Sequence, residues 1–108
     1  MRHVMTFDIF CFRLGMQYPL RICSGYTAGR HLKNIRLSGG GPADREHLYL
    51  LSWADHDDLD AYRGCPVLLF GLPEEEPLPK GNIVVLPRID DVTGLINDCL
   101  EIFAEFGE

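Results

Sequence analysis

The chain is 108 residues long, 46% apolar and 24% charged. That length accommodates one core and leaves no room for a second, and the balance is that of an ordinary globular domain. The formal net charge is −6, the ten basic residues are scattered and none follows Arg88, which argues against a surface for a phosphate backbone.

The first periodic stretch, "TFDIFCFRLGM" over 6–16, predicts a short helix with Thr6 as N-cap and Asp8 in the first turn, closed by Gly15 and Pro19. Two short strands follow in "YPLRICSG" and "HLKNIRLSGGG", with "SGYTAGR" as the loop between them. Their pairing is open: they either join a larger sheet or form a hairpin of their own. Gly39-Gly40-Gly41-Pro42 is a break, but neither side of it is long enough to be a separate domain.

The second half is more regular. "HLYLLSWA" over 47–54, "CPVLLFG" over 65–71 and "IVVLP" over 83–87 are continuous apolar runs. Such runs, unlike alternating ones, indicate strands covered on both faces, as in parallel sheets. Between the first two lies "DHDDLDAYRG", a short helix with Asp55 or Asp57 as N-cap and Leu59 and Tyr62 on its inner face. Between the second and third lies "LPEEEPLPKGN", a polar, proline-rich loop that cannot pair as a strand. The closing helix carries a stripe of Val92, Leu95, Ile96, Cys99, Leu100, Phe103 and Phe106, with Asp91, Asp98, Glu101, Glu105 and Glu108 opposite. Asp90 and Asp91 suit its positive end; Glu105 and Glu108 do not suit its negative end. Either Gly107 simply caps this helix, or it runs on into more protein or a partner. The expected fold is α/β: one domain over 1–108 of two or three layers, with a small, mostly parallel sheet and a long C-terminal helix.

Cys11, Cys23, Cys65 and Cys99 form no CxxC pair, which speaks for free thiols in a reducing, cytoplasmic setting and against a disulfide framework. With the four histidines they make no metal-ligand spacing, so no metal and no cofactor are expected. No apolar run is long enough to span a bilayer, and no signal peptide is recognisable. P-loop, GxGxxG, GxSxG, HExxH and EF-hand patterns are absent.

One dense titratable cluster remains, Asp55, His56, Asp57, Asp58 and Asp60 beside Trp53. A histidine flanked by carboxylates suits a general base, and a small enzyme using Asp55, His56 and Asp57 is the alternative reading. Neighbours in sequence do not face one another on a helix, however, and capping accounts for the aspartates. In open α/β sheets ligands bind beyond the carboxyl ends of the strands. That edge gathers Ser52, Trp53, Asp55 and His56 after the first strand, Phe70 and Gly71 after the second, and Pro87 and Arg88 after the third.

In this order, "EHLYLLSW", "YRGCPVLLFG", "KGNIVVLP" and "LINDCLEIFAEF" resemble the N-terminal domain of PucR-type (purine catabolism regulator, CdaR-related) bacterial transcriptional regulators, with Leu95, Asn97, Ile102 and Phe103 matching that family's helix. The resemblance covers roughly residues 46–106 and is carried by the order and spacing of the motifs together. It implies a non-enzymatic module that senses a small metabolite or mediates homodimerisation, either excised from a longer regulator or a natural short homologue of one. DNA binding does not carry over, because no helix-turn-helix lies within these residues. A dimer is expected to use Leu100, Phe103 and Phe106.

Overall fold

The computed structural model describes residues 5–37, 43–86 and 88–106. The element order is α1 (Phe7–Leu14), β1 (Arg21–Ile22), β2 (Asn34–Leu37), β3 (His47–Ser52), a 3-10 segment (Trp53–Tyr62), β4 (Val67–Phe70), β5 (Ile83–Leu86) and α2 (Val92–Phe106). The strands form one sheet in the order β1-β5-β4-β3-β2. Strands β2 to β5 are parallel and lie side by side in chain order, while β1 is antiparallel on the outer side of β5. The two N-terminal strands are therefore not a hairpin. They occupy opposite edges of the sheet.

The register explains why β3, β4 and β5 carry unbroken apolar runs. Leu50, Leu68 and Val84 lie in one cross-strand row, and Leu51, Leu69 and Val85 in the next. Successive side chains of a strand point to opposite faces. The first row therefore enters the core beneath the two α-helices, and the second the core on the other face. Both faces are dry along the middle of these strands, and polar side chains such as His47 and Ser52 stand only at the ends of β3, where burial is incomplete. The helical face is closed by Phe7, Phe10 and Leu14 of α1 and by Leu95, Cys99, Ile102 and Phe103 of α2. The other face is covered by Leu59 and Tyr62 of the 3-10 segment and by Leu72 and Leu78 of the following loop. Folded this way, the chain is an α/β domain with a mostly parallel five-stranded sheet and a long C-terminal helix.

Local signals were met in part by unexpected groups. Thr6 holds the N-cap position of α1 without a capping bond, its hydroxyl donating instead to Asp8. The first free amides of α1 are taken by the loop ahead of β2: Phe7 N–H donates to Arg30 O at 2.8 Å and Asp8 N–H to Ala28 O at 2.9 Å. The 3-10 segment is capped not by Asp55 or Asp57 but by Ser52, whose hydroxyl accepts from Ala54 N–H at 3.2 Å. Asp55 sits at a kink with φ −106° and ψ 25°. At α2, Asp91 does cap, its carboxylate accepting from Gly94 N–H at 2.8 Å.

The expected stripe on α2 is rotated. Ile102 is buried at 5% exposure, whereas Leu100 is 45% exposed and Val92 also lies open. The acidic end of this helix finds its counter-charge inside the chain: Arg13 of α1 donates to both carboxylate oxygens of Glu105, at 2.9 and 2.7 Å. Tyr18 O–H donates to Asp98 on the same side. Gly107 and Glu108, like the Gly39–Pro42 break and Pro87, lie outside the described residues. Among the described residues, no helix is long and apolar enough to cross a membrane.

Candidate functional site at the carboxyl edge of the sheet

The carboxyl ends of β4 and β5 open into a cleft of about 740 Å³ lined by Gly71, Leu72, Pro73, Glu74, Glu75, Arg88 and Ile89. Local chemistry builds it. Gly71, at φ 85°, turns the chain out of β4 in a conformation that glycine adopts without strain, and its N–H still pairs with Leu86 O at 3.3 Å. A tight turn follows, closed by Glu76 N–H donating to Pro73 O at 3.1 Å, and it holds Glu74 and Glu75 in the wall. Leu72 is buried in one core and Ile89 packs against the other, so the cleft sits across the end of the sheet on an apolar base. Arg88, exposed, supplies the positive charge among its lining residues. Beside Gly71 a Cβ would meet nothing within 4 Å, so the backbone there stands open to the cleft. The arrangement suits a ligand with an anionic group for the guanidinium and hydroxyl or cationic groups for the two glutamates.

Of the ligand-binding candidates, Gly71 and Arg88 come together here. Ser52, Trp53, Asp55 and His56 do not line the cleft. Ser52 serves as the cap. His56 stacks on Trp53 with ring centroids 4.3 Å apart and planes 14° apart, and its Nδ1–H donates to Trp53 O at 2.8 Å. Its Nε2 lies 3.5 Å from the almost fully exposed Asp57 carboxylate. With nearly half the His56 side chain in solvent, the cluster has the geometry of a capped surface segment rather than an enclosed dyad. Among the described residues, no group of three or more His, Cys, Asp or Glu side chains could hold a metal ion.

The interface candidates divide as well. Phe103 is only 7% exposed and packs against Phe10 with ring centroids 5.3 Å apart, so it belongs to the chain's own core and is not presented to a partner. Leu100 is presented, and the side chain of Phe106 lies outside what is described. All four cysteines are free and buried. Burial pushes the Cys11 and Cys99 thiols up to about 12, and desolvation also raises those of Cys23 and Cys65.

The sequence reading missed Leu72, Pro73, Glu74, Glu75 and Ile89. The acidic loop carried a signal, since it directly follows a buried strand at the ligand-binding edge, but its composition reads equally as a solvated connection. No family model matches the chain, and no curated protein or solved structure matches it significantly.

Proposed function

We propose that this domain is a regulatory module, of the kind found at the N-terminus of PucR-like transcriptional regulators, that binds a small anionic metabolite in the cleft at the carboxyl ends of β4 and β5. The cleft carries the reading. Its volume lies within the range of small-molecule sites, and it stands where parallel α/β sheets place their ligands. The ordered resemblance of the three central strands and the last helix to the PucR-type domain supports it, on the quoted segments alone. In this reading Arg88 takes the anionic group, Glu74 and Glu75 orient the remainder, and Gly71 lets the ligand approach the backbone. Regulation follows if the ligand favours one of two arrangements of the loop after β4, since a ligand shifts an equilibrium only by its differential affinity for the two states.

The test is a thermal-shift screen of purines, sugar acids and related acids on the wild type and on Arg88→Gln. A ligand at about 100 times its Kd adds about 2.7 kcal/mol to folding, a plain rise in melting temperature. The expected result is a hit that Arg88→Gln weakens or removes. A screen without hits, or a hit that ignores Arg88, overturns the assignment.

A further inference from the structure

The outer edge of β1 and the end of α1 beside it share a shallow groove of about 520 Å³, whose apolar lining includes Cys11, Phe12, Met16, Leu20 and Ile22. Of the five large apolar residues exposed among the described ones, three stand here: Phe12 at 69% exposure, Met16 at 67% and Ile22 at 48%. Scattered singly, such residues need no explanation; gathered on one face they mark a contact surface. The strand adds directed bonding. Cys23 N–H donates to Ile83 O at 3.1 Å, and antiparallel pairs alternate between bonded and non-bonded. Arg21 and Val85 are thus the next bonded pair, and Ile22, opposite Val84, turns its own N–H and C=O off the sheet.

The length of this open edge decides what fits it. Pro19 bounds it at one end, having no N–H to offer. At the other end Ser24 O is already taken by Gly81 N–H at 2.7 Å. An extended peptide would find too few groups for a ladder. A second copy of this chain finds enough, because a two-fold axis at Ile22 lets the same residue donate and accept in both copies and doubles the apolar face around it. Charge agrees. Two chains of net charge −6 repel one another, yet Asp8 is the one carboxylate among the residues lining this groove. In the register centred on Ile22, Arg21 falls opposite Cys23 of the other copy, so the two guanidinium groups are not opposed. Ile22 shares a cross-strand row with Val84, which faces the helices, so the axis brings both α1 helices to one side of a continuous sheet.

We propose that β1 pairs antiparallel with β1 of a second copy about a two-fold axis at Ile22, with Phe12 and Met16 closing the contact on the helical face. At their exposures Phe12, Met16 and Ile22 contribute roughly 300 Å² per copy. With Tyr18, Pro19 and Leu20 the total over two copies reaches about 1,000 Å², the threshold of a specific interface. The dimer is therefore weak and concentration-dependent, with a Kd of about micromolar or above. It does not involve the cleft at the carboxyl edge, and either assignment can fail without the other.

Sedimentation equilibrium of the 108-residue chain, from low to high micromolar concentration, tests it. The expected result is a mass that rises from one chain to two and no further. Met16→Lys, a change at an exposed position, should raise the Kd at least about tenfold. So should Ile22→Pro, which removes the outward N–H at a place where an edge strand tolerates proline. Leu100→Lys, on α2 and outside the groove, should leave the Kd unchanged. Circular dichroism reports whether each variant is folded, and should Ile22→Pro not fold, Met16→Lys alone decides. A monomer throughout overturns the dimer and leaves the face to a different protein. A mass growing beyond two chains overturns the two-fold pairing, as does a dimer that both groove variants leave intact or that Leu100→Lys abolishes.

Discussion

Leu100 and Ile102 stand two residues apart on α2 and test how the helix is seated. Truncating either to alanine removes three carbons, worth about 2.4 kcal/mol of transfer free energy at about 0.8 per buried group. Ile102 is 5% exposed and enclosed by the core, so nearly all of that is lost and a cavity term is added, for a cost of about 3 kcal/mol, within the usual range for such truncations. Leu100 is already 45% exposed, which leaves roughly half the transfer term and no enclosed cavity, about 1 kcal/mol. Urea unfolding followed by tryptophan fluorescence and circular dichroism measures both. With a slope of about 1–3 kcal/mol per molar, the midpoint of Ile102→Ala should fall about 1 M or more below that of the wild type, and that of Leu100→Ala far less. Equal losses, or a greater one at Leu100, would mean that the helix presents a different face to the sheet and that the seating described here is wrong.

Alkaline titration gives a second expectation. Burial raises the Cys11 and Cys99 thiols from 9.0 to about 12, and donation to Asp98 raises the Tyr18 hydroxyl from 10.0 to about 12. The folded chain keeps these protons where the unfolded chain releases them, so their contribution is complete below about pH 9 and is lost as the pH climbs towards 12. Melting temperature should decline across that window; a profile level to pH 11.5 would contradict the burial. Removing the cap with Asp91→Ala should cost about 0.5–2 kcal/mol in chemical unfolding, and no measurable loss would mean that water replaces it freely. Glu105→Gln should cost at most about 1 kcal/mol, since the pair with Arg13 is partly exposed, and the loss should shrink in high salt. All four thiols should resist a thiol-specific reagent in the native state and react together once denaturant is added; rapid labelling of any one before unfolding would show that its burial is transient.

The parts of the fold that were legible are those where one physical demand dominates. β3, β4 and β5 could be read because burial on both faces requires an unbroken apolar run, and their parallel arrangement followed from it. The edges could not be read. β1 and β2 are short, and their places depend on which side of the sheet remains unpaired, a long-range property that no local pattern encodes. Capping was ambiguous for a related reason: Ser52, Asp55 and Asp57 are all competent, and where the strand ends decides among them. The stripe on α2 erred at its margin, because Leu100 lies about 100° round the helix from Cys99, outside the face the sheet and α1 can cover. The carboxyl-edge rule named Gly71 and Arg88, which do line the cleft there, but could not say which strand ends are open.

The placing of the two short strands has a consequence for how the molecule comes into being. Residues 21–37 supply both margins of the sheet, yet they leave the ribosome before any of the strands they will border. β2 has its partner once β3 has emerged, but β1 has none until β5, ending at residue 86, is made, so that edge of the sheet must wait. A nascent chain stalled after β4 would lack the strand that separates β1 from β4, leaving an apolar margin open to any neighbouring chain. Synthesis of the last quarter of the domain, rather than the first, is therefore the interval in which a cell would have to shield it.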